Sequence, residues 1–263
     1  MMINNNEIFQ RSTLLLGANA MQRIYDARVI IFGVGGVGSW CAESLIRSGI
    51  KHLTIVDADT ICVTNCNRQL MATSKTIGRV KVDALRDRLL EINPNAEIEA
   101  IEKCYDETTA EEFQLAKYDY VIDAIDSLKY KAMLILNATR IKSLTLFSSM
   151  GAALRTDPFK IRQAEFWDVR GDSLARALRD KFKHNGTFPS RKFRCVYSEE
   201  APKSNRGLML HSENETSQSF TKVKTNGSLS HITAIFGFAL AGMVINSITE
   251  KDDNRPTPYF FYI

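Results

Sequence analysis

The chain has 263 residues, 44% of them hydrophobic and 24% charged, with 34 Lys and Arg against 30 Asp and Glu for a formal net charge of +4. That length suits one large α/β domain or two small ones, and the charged share is that of a globular chain, which excludes overall disorder. The charge excess is too slight to mark a nucleic-acid binder by itself, so its distribution matters more.

The five cysteines, Cys41, Cys62, Cys66, Cys104 and Cys195, include no C-x-x-C pair, and their odd number argues against a disulfide framework. This usage points to a reducing, cytoplasmic setting, and "MMINNNEIFQR" carries no apolar signal core.

From residue 28, "RVIIFGVGGVGSWCAESLIRSGIKHLTIVDAD" reads as strand, helix and strand. Residues 28–33 form a continuous apolar strand. Residues 37–48 put Val37, Cys41, Leu45 and Ser48 on one helical face, Gly49 suits the helix end, and 52–57 make the next strand. "GRVKVDALRDRLLEINP" follows as a helix with Val82, Leu85 and Leu89 on one face, stopping at Pro94. A strand at 96–102, a helix at 108–116, a buried strand in "YDYVIDAID", a helix over "LKYKAMLILNATRIK" and a strand in "LTLFSSMGA" complete the regular part. Such alternation predicts an α/β fold, Rossmann-like and doubly wound, with a mostly parallel sheet and ligands at the carboxyl ends of the strands. The ends near residues 33, 57 and 126 should converge.

Past about residue 155 the pattern loosens. Residues 172–183 predict an amphipathic helix with a basic face, and "RKFRCVYSEEAP" holds a strand ending near Ser198. Residues 203–230 lack apolar periodicity and read as a mobile functional loop or a disordered stretch. Residues 232–248, "ITAIFGFALAGMVINSI", are apolar but interrupted by Thr233, Gly237, Gly242 and Asn246, and slightly short for a bilayer span. A core or dimer-interface helix is the better reading; no transmembrane segment is expected, and peripheral membrane association stays open. The aromatics of "YFFYI" need burial in the sheet or across a partner subunit.

Gly33, Gly35 and Gly38 match G-x-G-x-x-G between a strand and a helix, with Gly36 as a further position without a side chain. Glycines let the turn tighten and let backbone N–H groups approach a phosphate. Asp57 lies nineteen residues after Gly38, where a carboxylate binds a ribose. A nicotinamide enzyme needs no more than this. A nucleoside triphosphate also requires cations for its phosphates and a carboxylate for magnesium. Arg68 suits bidentate phosphate contact, Lys81 opens the 79–90 helix as a point charge, Asp126 ends another parallel strand, and Asp59 offers a second metal or water contact. Singly, each has a plainer reading: Lys81 a solvated charge, Asp126 the N-cap of a helix over 128–141, Arg68 the partner of a neighbouring acid.

Taken in order, "GVGGVGSW", "DADTICVTNCNRQ", "GRVKVDA", "INPNA" and "DAIDS" resemble the ubiquitin-activating-type (ThiF/MoeB/HesA-like) adenylating superfamily over roughly residues 11–155. "RCVYSEEA" and "GSLSHITAIFGFALAG" extend the resemblance to its tRNA threonylcarbamoyladenosine dehydratase branch. The resemblance implies a single ThiF-type domain over 1–263, with a nucleotide core at 11–155 and a substrate and dimer portion at 156–263. It implies ATP and magnesium as cofactors, with room for a monovalent cation. It gives Gly36, Asp57, Asn65 and Arg68 to ATP binding, Lys81 to neutralising the phosphates, and Asp126 with Ser127 to closing the site, Asp126 also holding the metal; Gly33, Gly35, Gly38, Asp59 and Asn67 complete the candidate nucleotide-binding set. Arg68, Lys81 and Asp126 are the implied catalytic residues, stabilising the pentavalent phosphorus as a carboxylate attacks and pyrophosphate leaves. In that branch the carboxylate belongs to the threonyl group of threonylcarbamoyladenosine beside a tRNA anticodon, and ring closure releases AMP. The alternative is adenylation of the C-terminal glycine of a ubiquitin-like sulfur carrier, which the missing C-x-x-C pairs disfavour. A homodimer is implied, and a sulfur-transfer or carrier-protein partner stays open. Leu14 stands where the family carries an arginine that reaches the partner subunit's site, with Arg11 and Arg23 as substitutes.

For an anticodon arm, residues 176–206 offer Arg176, Arg179, Lys181, Lys183, Arg191, Lys192, Arg194, Lys203 and Arg206, interleaved with Phe182, Phe188, Phe193 and Tyr197. The plainer reading is a solvated basic face over core aromatics. Cys195 is the thiol most like a nucleophile, yet its apolar neighbours suit a buried strand better. His184, His211 and His231 receive no role.

Overall fold

The computed structural model describes residues 5–207 and 226–250. Among the described residues, seven strands form one sheet: β1 (Arg28–Phe32), β2 (His52–Val56), β3 (Glu97–Ile101), β4 (Tyr120–Asp123), β5 (Thr145–Ser149), β6 (Ile161–Glu165) and β7 (Arg194–Ser198). Their order is β3-β2-β1-β4-β5-β7-β6, parallel throughout except for β6, which runs antiparallel to β7 on the edge. Strands β1, β2, β4, β5 and β7 are buried almost end to end, as parallel strands covered on both faces must be.

The helices are α1 (Asn5–Ile8), α2 (Gln10–Leu16), α3 (Ala18–Asp26), α4 (Gly38–Arg47), α5 (Lys81–Ile92), α6 (Leu128–Arg140), α7 (Ser173–His184) and α8 (Ser230–Thr249). On one face α3, α4, α5 and α8 enclose Met21, Ile24, Leu45, Leu85, Phe236 and Val244 against Ile31 and Ile55. On the other, α6 and α7 enclose Leu134, Leu178 and Phe182 against Ile30, Val121 and Cys195. Glu43 on α4 is clamped by Arg47 at 2.9 Å and by Arg88 of α5 at 2.7 Å. Burial raises its carboxyl, but the two guanidinium groups outweigh that and leave it below the ordinary value.

The expectation for 232–248 resolves as a core helix. α8 is long and apolar enough to cross a membrane by length and composition, yet it lies along α4 and against α3 and β5. Gly237 makes that packing close: a Cβ there would stand 2.5 Å from the Val37 carbonyl oxygen and 2.9 Å from Trp40 Cβ. Phe238 stays 45% exposed and meets Trp40 edge to face.

One expectation needs correction, and one strand was not foreseen. Residues 108–116 form no helix; they run through turns into a short 3-10 segment at Leu115–Lys117. Asp106 Oδ1 accepts the N–H groups of Thr108 at 2.8 Å and Thr109 at 3.1 Å, a local turn that competes with helix formation. β6 gave no signal because an exposed edge strand such as "IRQAE" has little apolar face to show. Residues 208–225 and the tail from 251 lie outside the described residues, as do most of the polar stretch assigned to a loop, His211 and the "YFFYI" aromatics.

Candidate nucleotide and substrate site

At the carboxyl ends of β1, β2, β4 and β5 lies a cleft of about 660 Å³. Of the predicted residues, Gly33, Gly35, Gly36, Asp57, Asp59, Arg68, Lys81, Asp126 and Ser127 line it. The three strand tips near 33, 57 and 126 do converge.

The glycine turn is sterically enforced. Gly33 has φ +84°, and a Cβ there would sit 2.7 Å from the Ala124 carbonyl oxygen. Gly38, the first residue of α4, has no room for a side chain at all: a Cβ would fall 1.8 Å from the Gly33 carbonyl oxygen. The turn therefore presses against β4's exit and leaves the α4 N-terminus facing the cleft, where backbone N–H groups favour an anion.

Asp57 braces this turn. Its Oδ2 accepts the Val34 N–H at 2.9 Å and its Oδ1 the Asp59 N–H at 3.0 Å. Asp59 answers why a second carboxylate is present: its Oδ2 holds Lys81 Nζ at 2.6 Å, while its carbonyl accepts the Lys81 N–H at 3.0 Å. Lys81 also lies 3.7 Å from Asp57 and is only 6% exposed. Its plainer reading as a solvated charge is thereby corrected: it is a buried cation held at the cleft.

Arg68 is anchored from behind. Its carbonyl accepts Trp40 Nε1–H at 3.0 Å, and its Nη1 donates to Thr64 O at 3.0 Å and Asn67 Oδ1 at 2.9 Å. Among the described residues no acid pairs with it, and Nη2 and Nε are further donors of the guanidinium. Asn65 and Asn67 do not line the cleft, unlike the other predicted nucleotide residues apart from Gly38. Asn65 is buried and its Oδ1 accepts the Cys62 N–H at 3.1 Å, while Asn67 Nδ2 donates to Ser228 O at 3.0 Å. Both shape the loop that carries Arg68.

Asp126 is exposed at β4's exit, and the N-cap of α6 is Ser127 rather than Asp126. Sequence reasoning missed what fixes this exit. Asp123 and Lys131, both 0% exposed, pair at 2.7 Å; Ser148 Oγ donates to Asp123 Oδ2 at 2.6 Å, and Asp123 Oδ1 accepts the Ile125 N–H at 3.2 Å. An aspartate ending the strand and a lysine in the first turn of the next helix were the available signal. Sequence reasoning also missed Arg155, Lys103 and Tyr105 among the lining residues.

Among the described residues, no group of three His, Cys, Asp or Glu is placed to hold a metal alone. A single open carboxylate at Asp126 beside an anion-binding turn instead fits magnesium, which takes one or two carboxylates and completes its shell with phosphate oxygens and water.

The substrate-side expectations divide. Arg191 is structural: it donates to the carbonyls of Thr139 at 3.0 Å, Lys142 at 3.1 Å and Leu144 at 2.8 Å, and to that of Ile141, closing the end of α6. Phe182, Phe193 and Tyr197 are buried, so they are core rather than stacking platforms. Phe188 is 52% exposed beside Trp167, with Arg176, Lys183, Lys192 and Arg194 exposed around this region of the chain. Cys195 is buried in β7, and burial pushes its thiol up, the opposite of a nucleophile's need. Arg23 Nε donates to Ile248 O at 3.3 Å, whereas Arg11 on α2 is exposed, as is Leu14.

A mostly parallel sheet with a glycine turn, a braced ribose-position aspartate and two cations, Arg68 and Lys81, lining the cleft at its strand ends defines a nucleotide-binding α/β protein of the adenylating kind. The chain belongs to the ThiF family, whose profile matches residues 9–263. It is 38% identical over 194 residues to the tRNA threonylcarbamoyladenosine dehydratase of Bacillus subtilis, covering 74% of this chain and 75% of that one. The Haemophilus influenzae enzyme of the same name is 36% identical over 239 residues, 89% of this chain and 90% of its own. Among solved structures, the Escherichia coli tRNA N6-threonylcarbamoyladenosine dehydratase in complex with ATP superposes with a TM-score of 0.81 at 30% identity, covering 95% of this chain and 98% of that one.

Proposed function

We propose that this protein is an ATP-dependent tRNA-modifying enzyme that cyclises threonylcarbamoyladenosine beside the anticodon. The observation that carries the reading is the convergence of the glycine turn, Arg68, Lys81 and Asp126 on one cleft, in a chain whose relatives bear that activity in their names. Asp57 takes the ribose, and the α4 N-terminus with Arg68 and Lys81 takes the phosphates. Magnesium held at Asp126 would neutralise phosphate charge when bound.

A threonyl carboxylate oxygen attacks the α-phosphorus, the bond to the bridging oxygen of pyrophosphate breaks, and Lys81 and Arg68 stabilise the charge that develops. A nucleophile within the same modification then attacks the activated carbonyl, AMP leaves, and the ring closes with net loss of water. Adenylation of a sulfur-carrier protein is the weaker reading, since that branch carries the C-x-x-C pairs absent here.

The exposed basic residues of α7 and β7, with Phe188, provide the anticodon-arm surface. Leu14 and Leu15, 81% and 83% exposed on α2, favour a homodimer in which a second copy covers them and Arg11 takes the place of the arginine expected at Leu14. Five free thiols favour a reducing, cytoplasmic setting.

The direct test is to incubate the protein with ATP, magnesium and tRNA bearing threonylcarbamoyladenosine, digest the tRNA and weigh the nucleosides. A nucleoside lighter by one water supports the reading; an unchanged one refutes it. Carrier-dependent exchange of labelled pyrophosphate into ATP would favour the alternative.

A further inference from the structure

The cleft extends beyond the residues assigned to the nucleotide. Toward β5 it is lined by residues 149–155, Ser173, Leu174 and Pro202. Arg155 is the cation on this side, and its environment is unusual. The side chain is only 2% exposed, and its Nε and Nη1 are buried without a hydrogen-bond partner among the described residues. Its Nη2 has only long neighbours, Gly171 O at 3.5 Å and Asp172 Oδ2 at 3.6 Å.

Asp172 is the buried counter-ion of Arg155 at 3.6 Å, and both nearby carboxylates also hold backbone N–H groups. Asp172 Oδ2 accepts the Gly151 N–H at 3.1 Å, and its Oδ1 caps α7 by accepting the Ala175 N–H at 2.8 Å. Glu200 accepts the N–H groups of Thr156 at 2.8 Å and Asp157 at 2.9 Å and pairs with Lys203 at 3.2 Å. A buried guanidinium with idle donors is costly, and a carboxylate taken by the Nη1–Nη2 fork, where Nη2 now has only long contacts, would reduce that cost.

The backbone holds the residue rigidly. Leu154, just before it, has φ +62°, a left-handed conformation that a branched side chain rarely adopts. Leu154 N–H donates to Gly227 O at 2.9 Å, and its carbonyl accepts the Lys203 N–H at 2.9 Å. These bonds pin the loop before Arg155, and the Thr156 N–H to Glu200 at 2.8 Å pins it after. Such preorganisation, together with backbone strain at a cleft, is what a binding group needs and a mere packing arginine does not.

We propose that Arg155 binds the carboxylate of the substrate's acyl group, holding it by a two-pronged contact on the β5 side of the cleft, across from the nucleotide phosphates. A planar carboxylate matches the guanidinium fork, and the β1, β2 and β4 tips already provide for the triphosphate. This deepens the proposed function and rests on it: Arg155 selects a free carboxylate and sets it for attack on the α-phosphorus. Arg155 is a substrate-binding and specificity residue; the charge developing at phosphorus falls to Lys81 and Arg68.

The test measures binding, so that it stands apart from turnover. Affinities are determined for tRNA bearing threonylcarbamoyladenosine and for the same tRNA with the threonyl carboxylate as its methyl ester, each with a non-hydrolysable ATP analogue present. The parent should prefer the free carboxylate by about tenfold or more. Arg155→Gln should lose that preference while binding the analogue as the parent does, and Arg155→Lys should keep part of it. Full preference in Arg155→Gln, or none in the parent, overturns the proposal. If Arg155→Gln fails to fold, Arg155→Lys decides: an undiminished preference counts against a two-pronged contact. Parent turnover, weighed separately as above, tells failure of the function from failure of this assignment.

Discussion

Lys81 illustrates how one residue joins structure to chemistry. A buried ammonium needs a counter-ion, and Asp59 supplies it at 2.6 Å from a position that is itself 70% exposed. A triphosphate entering the cleft brings a stronger anion, so the lysine can exchange partner with little movement. Lys81→Ala should leave the fold intact and slow adenylation by about 10²–10³-fold, read by pyrophosphate exchange beside a melting curve. A rate equal to the parent's would remove Lys81 from the mechanism.

Glu200 gives a residue-scale prediction of another kind. Burial raises its carboxyl, but the backbone N–H groups of Asp157 and Thr156 and the Lys203 ammonium outweigh that and hold it at about 2. A depressed carboxylate stabilises the fold fully above its ordinary value and loses that contribution as pH falls toward about 2. Glu200→Gln should therefore lower stability near neutral pH by about 1.5–3 kcal/mol, the range for hydrogen bonds to a charged group. It should also flatten the acid limb of the stability curve below about pH 4.5. A parallel downward shift at every pH would show that the charge contributes nothing.

Among the elements, α8 shows what a helix gains from small residues. Gly237 lets it lie on α4 at backbone contact, so Gly237→Ala should destabilise by about 1–3 kcal/mol despite alanine's better helix propensity. Chemical denaturation measures this; unchanged stability would mean that the two helices separate freely. The elements most legible in the sequence were those whose burial is one-sided or total: apolar β1 and β2, α5 with Val82, Leu85 and Leu89, and the glycine turn between strand and helix. β6 was illegible because an edge strand pairs through its backbone, which sequence does not display. Thr108 and Thr109 looked helical in pattern, yet the Asp106 side chain captured their N–H groups. In the site, motif residues were readable because glycine and charge stand out by type. Arg155 and the Asp123–Lys131 pair were not, because their meaning lies in burial and in what surrounds them.

At the scale of the whole molecule, two faces matter beyond the cleft. The basic surface around α7 should make tRNA affinity fall steeply with salt, by tenfold or more between about 50 and 200 mM, and Arg176→Glu with Lys183→Glu should reduce that slope. Salt-independent binding would place the tRNA elsewhere. The exposed pair on α2 predicts that Leu14→Glu with Leu15→Glu weakens a dimer, read by light scattering against the parent; a parent that is monomeric at every concentration would end that expectation.

A triphosphate bound in the cleft should meet Arg68 and Lys81 beside the glycine turn. A crystal structure of the protein with an ATP analogue and magnesium decides this. Phosphate oxygens should lie within hydrogen-bond distance of Arg68 and Lys81, with Lys81 drawn from Asp59 and the metal beside Asp126. Phosphates bound away from both cations would exclude Arg68 and Lys81 as the triphosphate's partners.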